Sequence, residues 1–405
     1  MFTKCITICL LLLFLAGCAM PIPTPEPVTI RFPHYERDTA YYTTLAEQFK
    51  ARYPHITVEL VTADRMNFGQ IIAHDVFVAD QLSMPQLMLQ GNILDLTPLI
   101  EQDDTFDNRA FYPGALETFQ YEGRTWGIPS DLNLLLLYYN KELFDRYNTP
   151  YPRIGWTWRD FLDSAQRTTD PSADVFGYAI QHTGEAALME PVVFIYQRGG
   201  QLFDSWQNPT TVSLNHPLNI EAMTWYASLI HTHGVAPTRQ QGPESARFYP
   251  GAGVIQGQYG MWMGMLSDQG GETWPVRWQM QWGVVPLPRD QAAATLALVD
   301  GYYISARTEQ PTASWQWLAF LSEHMPPLNL PARRSLAESD EYAQRVGLDV
   351  AEAARAAAGD ALLLNPNLLG FEQMLGVLDA TFTAIRNGEA SAEAALNAAQ
   401  ENAGF

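Results

Sequence analysis

VTIRFPHYERDTAYYTTLAEQFKARYPHITVEL, residues 28–60, decides the fold class. Val28 to Phe32 alternates apolar and polar. After a turn-like stretch, Tyr42, Leu45, Ala46 and Phe49 fall at helical spacing, and Pro54 stops that helix. Ile56, Val58 and Leu60 then alternate with Thr57 and Glu59. Strand, helix, strand in so short a stretch reads as βαβ with a parallel pair, so the chain is expected to be α/β.

Downstream the same alternation continues. Asp75 to Ala79 is a short apolar strand, Ser83 and Pro85 start a helix, and Gly91 stands where a helix ends. Leu134 to Tyr139 is an unbroken apolar run, expected to be a strand buried on both faces. Thr157 caps a helix with Asp160 in the capping-box position, and Pro217, Pro311 and Ser391 open three more. No internal repeat is visible.

Upstream lies an apolar leader. Lys4 is its single early charge, Ile6 to Ala16 is its core, and Leu15-Ala16-Gly17-Cys18 closes it as a bacterial lipobox. Residues 1–17 are expected to be a signal peptide, removed just before a lipidated Cys18, and residues 18–27 a tether stiffened by Pro21, Pro23, Pro25 and Pro27. Cys5 and Cys9 would leave with the leader, so no disulfide is expected. The formal charge is −20, and losing Lys4 takes it one unit further. That balance argues against nucleic acid as a partner. Lys50 and Lys141 are the other lysines, with no polybasic run, so membrane attachment would come from lipid.

The string HDVFVADQLSMPQLMLQGNILDLTPLI (His74 to Ile100) resembles the family 1 extracellular solute-binding proteins of ABC transporters, the maltose-binding protein class. WGIPSDLNLLLLYYNKELFD (Trp126 to Asp145), GWTWRDFLDSAQRTTD (Gly155 to Asp170), RGGQLFD (Arg198 to Asp204), LIHTHGVAP (Leu229 to Pro237), VDGYYISA (Val299 to Ala306), LPARRS (Leu330 to Ser335) and AIRNGEASAEAALNAA (Ala384 to Ala399) follow in the family's order. The resemblance implies a two-lobed, periplasmic-binding-protein-like (type II) fold with a hinge and an interlobe cleft. One lobe would hold residues 28–130 plus 301–332, the other 131–300 plus 333–405. It also implies capture of a solute and its delivery to a membrane ABC permease, and together with the lipobox the expectation is a lipid-anchored, extracytoplasmic monomer.

A site for sugars needs flat aromatic faces together with carboxylates, amides and arginine. Tyr35 and Glu36 follow the first strand, and Asp80 and Gln81 the third, at the carboxyl ends where open α/β sheets bind ligands. Asp131 and Asn133 lie in one expected hinge strand and Tyr302 and Tyr303 in another, where at most one of the two tyrosines is expected to meet ligand. Arg333 follows Pro331 at a third crossing, suited to hydroxyls, an anion or an interlobe salt bridge. The segment Ile255 to Leu266 departs from the family, because Leu266 stands where a stacking Trp is usual. Trp262 is then either core or stacking surface, with Trp274 and Trp206 as alternatives for the latter. A neutral sugar or oligosaccharide is the expected ligand.

No cofactor is called for, and no metal: His231 and His233 sit at a helix end, and Asp103, Asp104 and Asp107 lack the glycine and closing glutamate of a calcium loop. A tethered glycosidase is the enzymatic alternative and a ligand-presenting sensor the other. G-x-S-x-G, H-E-x-x-H and P-loop motifs are absent. Changing Cys18 to Ala is expected to release soluble protein from the membrane fraction; retention after a high-salt wash would refute the lipid tether.

Overall fold

Val28–His34 (β1) and Ile56–Thr62 (β2) pair in parallel, Val28 opposite Ile56 and His34 opposite Thr62. In the computed structural model, residues 26–64, 66–182, 185–205, 211–238, 241–242, 251–363 and 371–403 are described. The leader, Cys18, most of the Pro-rich stretch and Trp206 lie outside them. The helix Thr39–Arg52 joins β1 to β2 and buries Tyr42, Leu45 and Phe49, three of the four residues read from its spacing. Phe49 and Phe32 meet Trp317 edge-on, with ring centroids 5.0 and 5.8 Å apart, which fastens this unit to the helix Pro311–Ser322.

The second sheet is larger. Its strands are Val76–Asp80 (β3), Ile128–Asn140 (β4), Phe176–Ala179 (β5), Tyr259–Met265 (β6), Trp282–Val285 (β7), Thr295–Ile304 (β8), Leu330–Pro331 (β9) and Ala361–Leu363 (β10). They run in the order β10-β8-β4-β6-β5, with β3 on β8 and both β7 and β9 on β4. The first half of β4 pairs with β8 and β9, the second with β6 and β7. Leu132, Leu134, Leu136 and Tyr138 enter one hydrophobic core, while Leu135, Leu137 and Tyr139 enter another. An apolar strand without alternation is what a two-sided burial demands. β6 splits in the same way, Trp262 going to the first core and Met261 and Met263 to the second.

β4 begins six residues earlier than the apolar run alone suggests. The added residues are those of the expected hinge strand, and Pro129 pairs with Gly301 where the β4–β8 register shifts. A bulge tolerates the missing N–H of proline. Gly301 sits beneath the Phe119 ring, where a Cβ would come within 2.5 Å of it.

Local helix signals appear as read. Thr157 Oγ1 accepts from Asp160 N while Asp160 Oδ2 accepts from Thr157 N, the reciprocal capping box. Ser391 caps the alanine-rich helix Ala392–Asn402. Among the described residues no helix is long and apolar enough to cross a membrane.

Two glycines test the packing in opposite directions. A Cβ on Gly177 would lie 1.9 Å from the Ala165 carbonyl oxygen, backbone that cannot yield, so Gly177→Ala is expected to lose about 3 kcal/mol. Gly376, inside the helix Phe371–Asn387, has nothing within 4 Å of such a Cβ, so Gly376→Ala should gain about 0.5–1 kcal/mol of helix propensity. Urea midpoints read by circular dichroism check both signs.

Candidate functional site

The carboxyl end of β1 opens onto a pocket. His34 closes the strand, Tyr35 follows it, and Glu36–Asp38 forms a single 3-10 turn before the helix Thr39–Arg52. Tyr35 is 51% exposed, with the Arg37 guanidinium 5.4 Å from its ring centroid, and Arg37 Nε lies 3.4 Å from Asp38 Oδ2. The opposite wall is the β4–β8 crossing, with Ser130 and Asp131 from β4, Asp300 from β8 and Asn329 just ahead of β9. The pocket is open to solvent, and the space over it, open solvent included, is about 710 Å³.

Three aspartates stand abreast on neighbouring strands, of which Asp131 and Asp300 line the pocket. Asp131 of β4 pairs with Asp300 of β8, which pairs with Asp80 of β3, and opposed residues of antiparallel strands project from the same face. Burial pushes the Asp131 carboxyl up to about 6, opposed by hydrogen bonds from Asn329 Nδ2 at 2.7 Å and Ser130 Oγ at 2.8 Å. Asp300 is raised well above the usual carboxylate range, by burial first and then by Asp131 and Asp80. Asp80 caps the next turn, its Oδ1 accepting from Ser83 N at 2.9 Å and Ser83 Oγ at 3.1 Å.

The other residues read from sequence divide sharply. Tyr35 and Asp131 line the pocket. Glu36 is exposed beside it, its N–H donating to Asp64 Oδ2. Gln81 is fully buried and its Oε1 accepts from Val299 N at 2.7 Å, holding β8 to the turn after β3. Asn133 exchanges two hydrogen bonds with Ser267. Trp262 has no exposed surface; it stacks on Tyr138 with centroids 6.0 Å apart and meets Trp278 edge-on, so packing rather than a ligand face is its role here. Trp274, the alternative stacking surface, is partly buried against Trp278.

Neither hinge tyrosine presents a face. Tyr302 is 1% exposed, and Tyr303 is fully buried, stacked on Phe77, with its hydroxyl donating to the Asp80 carbonyl at 3.1 Å. Arg333 forms no salt bridge among the described residues. Its Nε and Nη2 donate to the Ser322 carbonyl and hydroxyl at the end of Pro311–Ser322, and its guanidinium lies over Phe106 and Phe111. A helix C-terminus with unpaired carbonyls is a strong competitor for any arginine within reach.

His34, Arg37, Asp300 and Asn329 line the pocket without having been singled out in the sequence, and Tyr42, read there only as a position on the helix, lines it too. Asp300 lay inside VDGYYISA, and the sequence signal for it was there: a lone acid in an apolar strand, two positions from Tyr302 and so on the same face. Asn329 carried no such signal.

Because folding raises the proton affinity of Asp131, the folded state binds extra proton between the ordinary carboxylate range and about pH 6. Its contribution to stability is therefore greatest in acid and is lost as pH rises through about 6. Asp131→Asn should remove that slope, at most about 3 kcal/mol across the window. Urea unfolding of both proteins at several pH values measures it; a difference that stays constant with pH would contradict the assignment.

Comparison with known proteins shows the family and the fold. Residues 34–325 match the family described as bacterial extracellular solute-binding protein. An arabinooligosaccharide-binding protein of Halalkalibacterium halodurans is 25% identical over 173 residues, covering 41% of this chain and only 33% of that relative. A Listeria monocytogenes ABC substrate-binding protein in complex with cycloalternan superposes with a TM-score of 0.72 at 22% identity, covering 93% of this chain and 98% of that one. The cyclic α-maltosyl-1,6-maltose binding protein of Arthrobacter globiformis gives a TM-score of 0.75 at 18% identity, with 93% and 98% covered. At these identities the structural likenesses show the two-lobed α/β binding-protein fold and no more. With the match spanning most of the described chain, the protein belongs to the bacterial extracellular solute-binding protein family.

Proposed function

We propose that this protein captures a sugar or oligosaccharide between its lobes and delivers it unchanged to an ABC permease, held near the membrane by lipid on Cys18 and acting as an extracytoplasmic monomer. The observation that carries the reading is the pocket at the carboxyl end of β1. An exposed aromatic ring, Tyr35, lines the same pocket as two carboxyls and an amide, Asp131, Asp300 and Asn329. Aromatic face plus fixed acceptors is the chemistry that sugars require. Residues 28–130 plus 301–332 and 131–300 plus 333–405 serve as the two lobes, with β4, β8 and β9 as the strands between them. Three adjacent crossing strands suit a hinge, because each absorbs a small rotation without losing its pairing. The sugar named in each relative supports this ligand class.

A thermal-shift screen with neutral sugars, polyols and glycerol phosphates tests the reading, since a ligand that binds only the folded protein raises its melting temperature. A neutral carbohydrate is expected to score and to be recovered intact by chromatography. Tyr35→Ala should weaken its binding by about 1–3 kcal/mol, whereas Trp262→Ala should act on stability. Response to glycerol phosphates alone, or a radius of gyration unmoved at saturation, would sink respectively the sugar assignment and the closure.

A further inference from the structure

The wall of the pocket opposite Tyr35 is unusually rich in acceptors. Asp131 and Asp300 face each other across the β4–β8 pair, and no ion pair among the described residues includes either. The Asp300 carboxyl accepts no hydrogen bond among those residues, and the charges that act on it are two further carboxylates, Asp131 and Asp80. Asn329, 8% exposed, spends its Nδ2 on Asp131 and leaves Oδ1 without a donor. The cations nearby are committed: Arg37 lies against Asp38 and the Tyr35 ring, and Arg345 lies over the Tyr41 ring.

Two carboxylates at adjacent register positions cannot both stay ionised in a half-dry pocket without a cation between them. A neutral hydroxyl donates one hydrogen and leaves the repulsion in place. An ammonium group carries three donors and the missing charge. We propose that the pocket selects a solute bearing a protonated amine, an amino sugar, whose ammonium sits against Asp131 and Asp300 and supplies the positive charge that the pair lacks. This rests on the solute-binding reading above and narrows its ligand class.

The other groups facing the pair are few. Tyr41 and Tyr42 from the helix after β1, and Tyr302 beside Asp300, are held un-ionised by burial. Asp80 on β3 and Asp38 add further carboxyls, His34 adds an imidazole ring, and Arg37, the fixed cation lining the pocket, lies against Asp38 and the Tyr35 ring.

Matched pairs supply the test: glucose with glucosamine, galactose with galactosamine, and diacetylchitobiose with its fully deacetylated amine, each added to the full-length protein. The amine of at least one pair should raise the melting temperature and bind about tenfold or more tighter than its neutral partner near pH 7.5. That preference should shrink towards pH 5, where protons compete, and calorimetry in buffers of different ionisation heat should show proton release on binding. Asp300→Asn should erase the preference; if that variant does not fold, Asp131→Asn reads the same pair. Neutral sugars binding as well as every amine, or a panel in which no amine acts, overturns the proposal. Neutral sugars scoring without amine preference leave the sugar-binding reading standing, whereas silence from every sugar, charged or neutral, removes both.

Discussion

One strand governs this structure. β4 delivers Leu134, Leu136 and Tyr138 to one core and Leu135, Leu137 and Tyr139 to another, and all six are buried. Each such side chain contributes up to about 1.5–3 kcal/mol on burial, so a slip of one residue would exchange the occupants of both cores at once. Register here is therefore tightly fixed, and everything paired to β4 inherits it. β8 and β9 are located by its first half, β6 and β7 by its second.

The acid pair at the pocket wall is a consequence of that register. Asp131 follows the Pro129 bulge and meets Asp300 because Leu132 must meet Val299. Packing imposes a juxtaposition that electrostatics alone disfavours, and the compensation available inside the fold is partial: Ser130 and Asn329 serve Asp131, and nothing serves Asp300 among the described residues. Local cost held in place by a well-packed surround is the usual mark of a functional position.

The aromatic content, 12% of the chain, went mostly elsewhere. Tyr138, Trp262, Trp278 and Trp282 interlock edge-to-face and stacked beside β4, and Trp317 anchors the first βαβ unit. The Nε1 atoms of Trp126, Trp262, Trp278 and Trp317 are buried without a partner among the described residues. Large rings contribute so much buried area that an unpaired indole N–H is tolerated. An abundance of tryptophan is thus poor guidance to a sugar site, and one exposed tyrosine tells more.

What the sequence determined by itself was local or carried by pattern. The alternation of Val28–Phe32, the spacing of Tyr42, Leu45 and Phe49, the Thr157 capping box and the unbroken run Leu134–Tyr139 each encode one element through forces acting within a few residues, and their order encoded the fold class. Tertiary structure alone decided which polar and aromatic side chains share a pocket. Period-two alternation showed that Tyr302 and Tyr303 point to opposite faces of β8, but not that both faces are covered, one by the helix Thr39–Arg52 and the other by Phe77 and Phe119. It placed Arg333 at a crossing, but not within reach of the helix end at Ser322 that claims it. Asp131 and Asp300 become neighbours only through strand pairing between distant segments, and no local rule carries that information.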